Sequence, residues 1–185
     1  MDKSAYRMFL LCLVIGIVIY LERPILPEML SAHSIELQWS GTLFGVFGFA
    51  VMLFAPFLGD IGDIKGRRMV LVISVLGMAV SQFIFGLANT LTVMLISRFI
   101  FGVFFSGIAV NFMAYFNDNY VGSLKSKMIS YNLAIIALGL ALGSLIGGYL
   151  GDYMHLSNIY FLQSVLFIIV SCIFFISKRV YKYRY

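Results

Sequence analysis

The sequence predicts an all-α integral membrane protein, a bundle of six transmembrane helices in a single domain over residues 1–185. Hydrophobic residues make up 62% of the chain and charged residues only 11%, whereas ordinary soluble domains have about 45–50% and about 25%. The mean hydropathy of +1.00 exceeds what a soluble core of this size requires. The apolar residues fall into six separate segments, which sets the predicted number of helices.

Each apolar segment has close to the roughly 20 residues that a helix needs to cross a bilayer, where unpaired backbone groups are too costly. The first segment is expected to form one continuous helix. The connections between segments are short or polar. The predicted spans are residues 7–30, 40–58, 69–88, 91–116, 128–150 and 158–177.

The positive charges predict that both termini are cytoplasmic, because cytoplasmic loops retain Lys and Arg. All but two of the 13 lysines and arginines then lie on the inner side, the exceptions being Arg23 and Arg98. Topology therefore explains the net charge of +5 better than nucleic-acid binding does. The inner residues are Lys3, Arg7, Lys65, Arg67, Arg68, Lys125, Lys127, Lys178, Arg179, Lys182 and Arg184.

The most specific local pattern is the predicted loop at residues 59–68, Gly-Asp-Ile-Gly-Asp-Ile-Lys-Gly-Arg-Arg. Glycines permit a tight reversal between two helices, and a carboxylate followed by cations forms a charge cluster at the inner interface. A plain positive-inside loop that contains glycine is the alternative. The residues assigned to a conformational gate are Gly59, Asp63, Gly66, Arg67 and Arg68.

Polar residues inside the spans are candidates for proton or substrate binding. Arg98 interrupts a long apolar run, and an arginine there costs about 3 kcal/mol on insertion scales, so it should face a cavity or a carboxylate. Snorkelling to the surface is the alternative. Glu22 lies in the outer half of the first span, where a partly desolvated carboxylate can exchange protons, unless the helix has already reached the interface. Asn111 and Gln82 are candidates for lining a cavity.

Small residues recur at four-residue spacing in the fifth span, at Gly139, Gly143, Gly147 and Gly151. They occupy one helical face, and such a face lets another helix approach closely. The ladder is therefore a packing device, and in a transporter it is also a surface on which helices slide.

These patterns resemble three signatures of the major facilitator superfamily. The loop at residues 59–68 is similar to Gly-x-x-x-Asp-Arg-x-Gly-Arg-Arg between helices two and three, with Ile64 in the place of the first arginine. Arg98-x-x-x-Gly102 is similar to the fourth-helix motif. The stretch from Gly139 to Gly148 resembles the fifth-helix signature of drug/proton antiporters, with Ser144 in the place of its proline.

Two further stretches extend the resemblance to drug and tetracycline efflux proteins. Pro24-Ile25-Leu26-Pro27 is similar to the Pro-x-Leu-Pro that closes their first helix. Residues 114–125 resemble their loop between helices four and five. On this resemblance, Asp118 and Lys125 belong to an inner charge cluster.

The resemblance implies a half-size secondary transporter in the plasma membrane, with proton-coupled efflux of small molecules by alternating access. Its six helices would form a 3+3 inverted repeat, and a full transporter places the substrate site between two such halves. In the family the loop acid, here Asp63, holds the N-terminal end of the eleventh helix in the other half. In a parallel homodimer it would meet the helix that starts at Met128 of the other copy. We therefore expect membrane lipid, a small-molecule substrate, and a parallel homodimer or a second six-helix half as partners.

Three rival interpretations remain open. The chain is a truncated part of a twelve-helix transporter, a non-transporting membrane partner that docks through the glycine ladder, or an intramembrane enzyme. The enzyme is the least favoured, because His33 and His155 lie in short outer loops and form no Ser–His pair. The sequence shows neither a His-rich metal pattern nor a phosphate-binding glycine loop, so no metal and no cofactor are expected.

Overall fold

The structure, a computed structural model, describes residues 3–176, with side chains from residue 5 onward. The end of the last predicted span at Ser177, the side chain of Lys3 and the basic residues 178–184 lie outside the described residues. Seven α-helices and no β-strand are present in the described range, which confirms the all-helical class. They are α1 Lys3–Tyr20, α2 Leu26–Ala32, α3 Trp39–Lys65, α4 Arg67–Gly86, α5 Leu91–Asn119, α6 Gly122–Tyr153 and α7 Leu156–Ile176.

Five of these helices, α3 to α7, are long and apolar enough to cross a membrane within the described part of the chain. They contain 20 to 32 residues, and at about 1.5 Å per residue each covers the roughly 30 Å of a hydrocarbon core. Each of them overlaps one of the second to sixth predicted spans. The chain is therefore a multi-pass integral membrane protein.

The first predicted span is not one continuous helix, and that prediction is wrong. α1 ends at Tyr20 and α2 begins at Leu26. Pro24 and Pro27 have no N–H to donate to the carbonyls four residues before them, so the helical ladder fails between the two helices. The backbone tightens instead, and the N–H groups of Ile25 and Leu26 both donate to the carbonyl of Glu22, at 3.1 and 2.9 Å. Glu22 consequently lies in a turn and not within a helix.

The two longest predicted connections are also mostly helical. α3 continues to Lys65 and α4 begins at Arg67, so Gly66 alone separates them. Gly66 has φ +94°, a left-handed value that favours glycine. In the same way, only Tyr120 and Val121 remain of the predicted loop at residues 117–127. The polar composition of residues 59–68 and 117–127 predicts loops. In the structure both stretches instead extend helices beyond the apolar segments.

The helices pack in pairs, with α1 on α6, α3 on α5, and α4 between α5 and α7. Serine hydroxyls reinforce the contacts of α4. Ser164 and Ser171 of α7 donate to backbone carbonyls of α4 at 2.8 and 3.2 Å. By contrast, α3 and α6 bury few of their residues. One side of the bundle is therefore tightly bonded, while two long helices leave most of their surface uncovered.

The glycine ladder of α6 is occupied by α1 of the same chain. A Cβ atom added to Gly139 would lie 3.0 Å from the Cα atom of Gly16. A Cβ atom on Gly143 would overlap the carbonyl oxygen of Ile17 in α1, and one on Gly147 would overlap that of Leu21 in the turn after α1. Gly148 lies off this face, since an added Cβ would meet nothing closer than 4.0 Å. The ladder is thus a packing surface inside the bundle, which disfavours its use for docking another protein.

Candidate functional site

Three buried polar side chains from separate elements meet near the turn after α1. Arg98 Nη1 of α5 donates to Glu22 Oε1, and Gln82 Nε2 of α4 donates to Glu22 Oε2 at 2.7 Å. All three residues are at most 5% exposed. Both carboxylate oxygens accept a hydrogen bond, and the charge of Glu22 is matched by that of Arg98. We refer to Glu22, Gln82 and Arg98 as the buried ion cluster.

A pair of serines sets the register of the two helices that supply Gln82 and Arg98. Ser81 Oγ donates to the carbonyl of Ser97, and Ser97 Oγ donates to the carbonyl of Ser81, both at 2.7 Å. Each serine precedes one member of the buried ion cluster by one residue. The reciprocal bonds therefore hold the two donors side by side, while the proline-induced turn delivers Glu22 to them.

The guanidinium of Arg98 is also held by aromatic rings. Its Cζ atom lies 4.3 Å from the ring centroid of Phe85 and 5.9 Å from that of Phe101, within the range of cation–π attraction. The buried hydroxyl of Tyr160 on α7 is a further polar neighbour of this guanidinium. The charge of Arg98 thus depends on Glu22, on this hydroxyl and on these rings.

A cavity of about 220 Å³ opens beside the buried ion cluster. At its edge the guanidinium of Arg23 lies 4.8 Å from the ring centroid of Phe44 and 5.2 Å from that of Tyr20. The cavity combines charged groups with a predominantly aromatic wall. Its lining residues are Ile19, Tyr20, Glu22, Arg23, Phe44, Phe47, Arg98, Phe101 and Phe105.

A second group of charges joins α3, α4 and α5 where α3 ends and α4 begins. Arg67 Nη2 lies 2.7 Å from Asp63 Oδ1, and Arg67 Nη2 and Nε each lie 2.8 Å from Asp118 Oδ2. The side chains of Asp63 and Asp118 are 61% and 48% exposed, against 14% for Arg67. We refer to Asp63, Arg67 and Asp118 as the exposed ion cluster.

The structure distributes the other predicted charge and gate residues differently from the expected grouping. Lys125 forms no ion pair with Asp118 in the described part of the chain, because the reversal at Gly66 brings Arg67 there instead. Arg68 Nε donates to the carbonyl of Phe174 at 3.0 Å and so joins α4 to α7.

Asn111 ties two helices together and does not line the cavity. Its Nδ2 atom donates to the carbonyl of Gly107 at 2.8 Å and to that of Leu58 at 3.3 Å, which joins α5 to α3. A Cβ atom on Gly62 would overlap the Asn111 side chain, and one on Gly59 would lie 3.2 Å from a side-chain atom of α5. These glycines permit close contact of α3 with α5 and not a turn.

The aromatic wall and Arg23 were not assigned to a site by the sequence. The prolines that follow Arg23 were the available signal, because they interrupt the helix and place Arg23 in a turn. No group of three or more His, Cys, Asp or Glu side chains in the described range is arranged to hold a metal ion.

Comparison with known sequences identifies a family and several relatives. A family model described as Major Facilitator Superfamily matches residues 8–183. The uncharacterized MFS-type transporter YuxJ of Bacillus subtilis is 29% identical over 147 residues, which cover 80% of this chain and 38% of that protein. The quinolone resistance protein NorA of Staphylococcus aureus is 30% identical over 156 residues, which cover 84% of this chain and 39% of that protein.

Among solved structures, the human organic anion transporter MFSD10 (TETRAN) has the same fold, with a TM-score of 0.72 at 22% identity. The match covers 95% of this chain and 47% of that transporter. The chain thus spans less than half of the length of each of these three proteins.

Proposed function

Because the chain belongs to the Major Facilitator Superfamily, we propose that it is one six-helix half of a secondary transporter that exports small molecules by alternating access. The resemblance predicted from the sequence motifs is confirmed, and the family is one of transporters and not of enzymes. The chain is a multi-pass protein of the cell membrane. The observation that carries the proposal is the buried ion cluster beside a cavity within a membrane-spanning bundle.

Glu22 is the proposed proton-binding residue. Its carboxylate is held by Arg98 and Gln82, so a proton on Glu22 removes the charge that compensates Arg98. Leaving one member of a buried ion pair without its partner costs about 3–5 kcal/mol. Proton binding therefore favours separation of the turn after α1 from α4 and α5, and this separation reshapes the cavity.

Proton flux in reconstituted vesicles tests this role. Naphthoate, naphthylmethylammonium and naphthalenemethanol would be offered as an anionic, a cationic and a neutral probe, and a pH-sensitive dye would report proton movement. Glu22→Gln and Arg98→Ala are expected to abolish probe-driven flux. Glu28→Gln is the matched control, because Glu28 is an exposed acid of the neighbouring helix α2. Unchanged flux in both test variants would remove the assigned roles.

We further propose that α1 also crosses the membrane, which brings the number of crossings to six, and that both termini are cytoplasmic. The 18 residues of α1 span about 27 Å, close to the thickness of the hydrocarbon core. Lys65, Arg67 and Arg68 lie at one end of the bundle, which would be the inner end by the distribution of positive charge. Labelling of single cysteines by an impermeant maleimide in intact cells should therefore modify Glu36→Cys and leave Lys65→Cys unlabelled.

The helix pairing supports the proposed 3+3 inverted repeat. If the first three crossings (α1, α3 and α4) correspond to the last three (α5, α6 and α7), the contact of α1 with α6 is equivalent to that of α5 with α3. Both contacts are extensive. A two-fold axis in the membrane plane would relate them.

A second six-helix half is the proposed partner, and a parallel second copy can supply it. α3 and α6 leave most of their surface uncovered, and Asp63 is 61% exposed. α6 begins at Gly122 and not at Met128 as the sequence predicted, and Val121 before it provides no side-chain cap. The exposed carboxylate of one half is thus complementary to this helix start in the other. Detergent-free mass measurement should show dimers, and monomers that nevertheless transport in vesicles would contradict the proposal.

The lengths of the relatives suggest an alternative source for that half, which is a longer polypeptide. The matched segments are only 38% and 39% of YuxJ and NorA, so six further helices in a longer polypeptide would serve equally. The genomic sequence directly downstream decides between the two sources, because six further apolar segments in frame would identify the second half.

A further inference from the structure

We propose that the cavity beside the buried ion cluster binds small aromatic anions and that Arg23 selects their charge. The physiological meaning of this substrate class rests on the proposed transport function. The ligand would place its anionic group against Arg23 and its ring system against the aromatic wall of the cavity.

The charges that line the cavity leave one positive charge uncompensated. Glu22 is bound to Arg98 and Gln82 through both of its oxygens, so the Glu22–Arg98 pair contributes no net charge. Arg23 is exposed and, among the described residues, has no carboxylate partner. No other carboxylate lines the described cavity. An anion is therefore attracted to the cavity and a cation is repelled.

Arg23 also occupies the ring faces that a cationic ligand would need. Aromatic sites bind cations when the charge lies over a ring within about 6 Å of its centroid. At Tyr20 and Phe44 that position is taken by the guanidinium of Arg23, at 5.2 and 4.8 Å. These contacts hold the Arg23 guanidinium over rings that line the cavity. The side chain is therefore not extended away from the cavity toward lipid headgroups.

The remaining wall suits an apolar ring system. Phe47 lies 5.2 Å from Phe105 and 5.9 Å from Phe101, measured between ring centroids, so three neighbouring rings, tilted to one another, line this side of the cavity. The volume of about 220 Å³ is below the roughly 300–1,000 Å³ of sites for drug-sized ligands. A ligand of one or two rings is the size that this wall favours.

Equilibrium dialysis with the full chain in nanodiscs of zwitterionic lipid tests the assignment. The probes are naphthoate, naphthylmethylammonium and naphthalenemethanol, which share a ring system and differ in charge. Naphthoate should bind about ten-fold more tightly than the ammonium probe, because reversing the charge turns attraction to Arg23 into repulsion. Arg23→Gln should lower naphthoate affinity to that of the neutral probe, and Arg23→Lys should retain the preference.

Matched controls separate charge selection from loss of the fold. Arg7→Gln removes an exposed arginine from the opposite end of α1 and should leave the preference unchanged. Binding of naphthalenemethanol should be equal in the wild type and Arg23→Gln, which reports an intact cavity. If Arg23→Gln also fails to bind the neutral probe, its cavity is no longer intact. The charge preference is then judged from the affinities of the wild type and of Arg23→Lys for the three probes.

Three results would overturn the inference: tighter or equal binding of the ammonium probe, an anion preference that survives in Arg23→Gln, or binding of none of the probes. Transport is judged separately. Naphthoate binding without flux in vesicles would remove the proposed transport by two copies of this chain and leave the site. Transport of the ammonium probe that is unaffected by Arg23→Gln would leave transport and remove the site.

Discussion

The buried ion cluster and the exposed ion cluster both pair an arginine with carboxylates, but their surroundings differ. Glu22 and Arg98 are at most 5% exposed, whereas Asp63 and Asp118 are 61% and 48% exposed. Removing one member of a buried ion pair leaves the other charge uncompensated. At the surface, water and salt compensate a charge that has lost its partner. Breaking the buried ion cluster on one side is therefore costly, whereas the exposed ion cluster can open and close at low cost.

The largest effect is expected when only one side of the buried ion cluster is removed. Arg98→Ala leaves the Glu22 carboxylate buried with Gln82 as its hydrogen-bond donor, which should destabilise the fold by about 3–5 kcal/mol. Thermal unfolding in detergent micelles measures the loss as a lower Tm. Arg7→Ala is the matched control, since Arg7 is exposed and its loss should have little effect.

A double variant separates the cost of the unpaired charge from that of lost packing. Glu22→Gln combined with Arg98→Met leaves no charge in the buried ion cluster, so it should recover much of the stability lost in Arg98→Ala. A double variant as unstable as Arg98→Ala would show that packing, and not charge, accounts for the loss.

The next effect concerns the packing that holds the Glu22 turn in place. Gly147→Ala would drive a methyl group into the carbonyl of Leu21, the residue before Glu22, and overpacking of this kind costs about 1–3 kcal/mol. Gly148→Ala has open space, with 4.0 Å to the nearest atom, and should stabilise α6 by about 0.5–1 kcal/mol. Equal Tm values for the two variants would contradict the role of the ladder in positioning Glu22.

Apolar run length predicted α3 to α7 from the sequence, because the bilayer imposes that length directly on a spanning helix. The break after Tyr20 was missed, although Pro24 and Pro27 marked it, since hydropathy averages over local backbone chemistry. The helical ends around Asp63 and Asp118 were predicted as loops because charge was taken to end the helix. Charge ends only the membrane-embedded part, and α3 and α5 continue beyond it.

The sequence predicted those site residues for which the cost of burying a charge is sufficient evidence. A guanidinium in an apolar run needs a carboxylate or a cavity, which picked out Arg98. Its contact with Glu22 joins residues 76 positions apart and depends on how the turn after α1 packs, which no local pattern encodes. The sequence also predicted Lys125 beside Asp118, whereas the structure has Arg67 there. That contact depends on the chain reversal at Gly66, which no local pattern encodes either.

A smaller effect is expected from the serine pair that positions the buried ion cluster. Ser81→Ala removes a hydrogen bond from α4 to α5, and polar contacts between membrane helices contribute about 1 kcal/mol. Ser106→Ala is the control, because Ser106 Oγ donates within its own helix, to the carbonyl of Val103 at 2.7 Å. Tm should fall more for Ser81→Ala, and equal losses would argue against a role for the pair in helix register.

The smallest effect is expected at the exposed ion cluster. Asp118→Asn removes one carboxylate from Arg67, and exposed ion pairs contribute below about 1 kcal/mol. The Tm difference from the wild type should be small at low salt and vanish near 1 M NaCl, where the screening length is about 3 Å. The Tm loss of Arg98→Ala should persist at that salt concentration, because a charge pair that is at most 5% exposed is screened far less than a surface pair. If salt left the Asp118→Asn difference intact, the two clusters would share one kind of environment, and a low cost of opening could not be assigned to the exposed one.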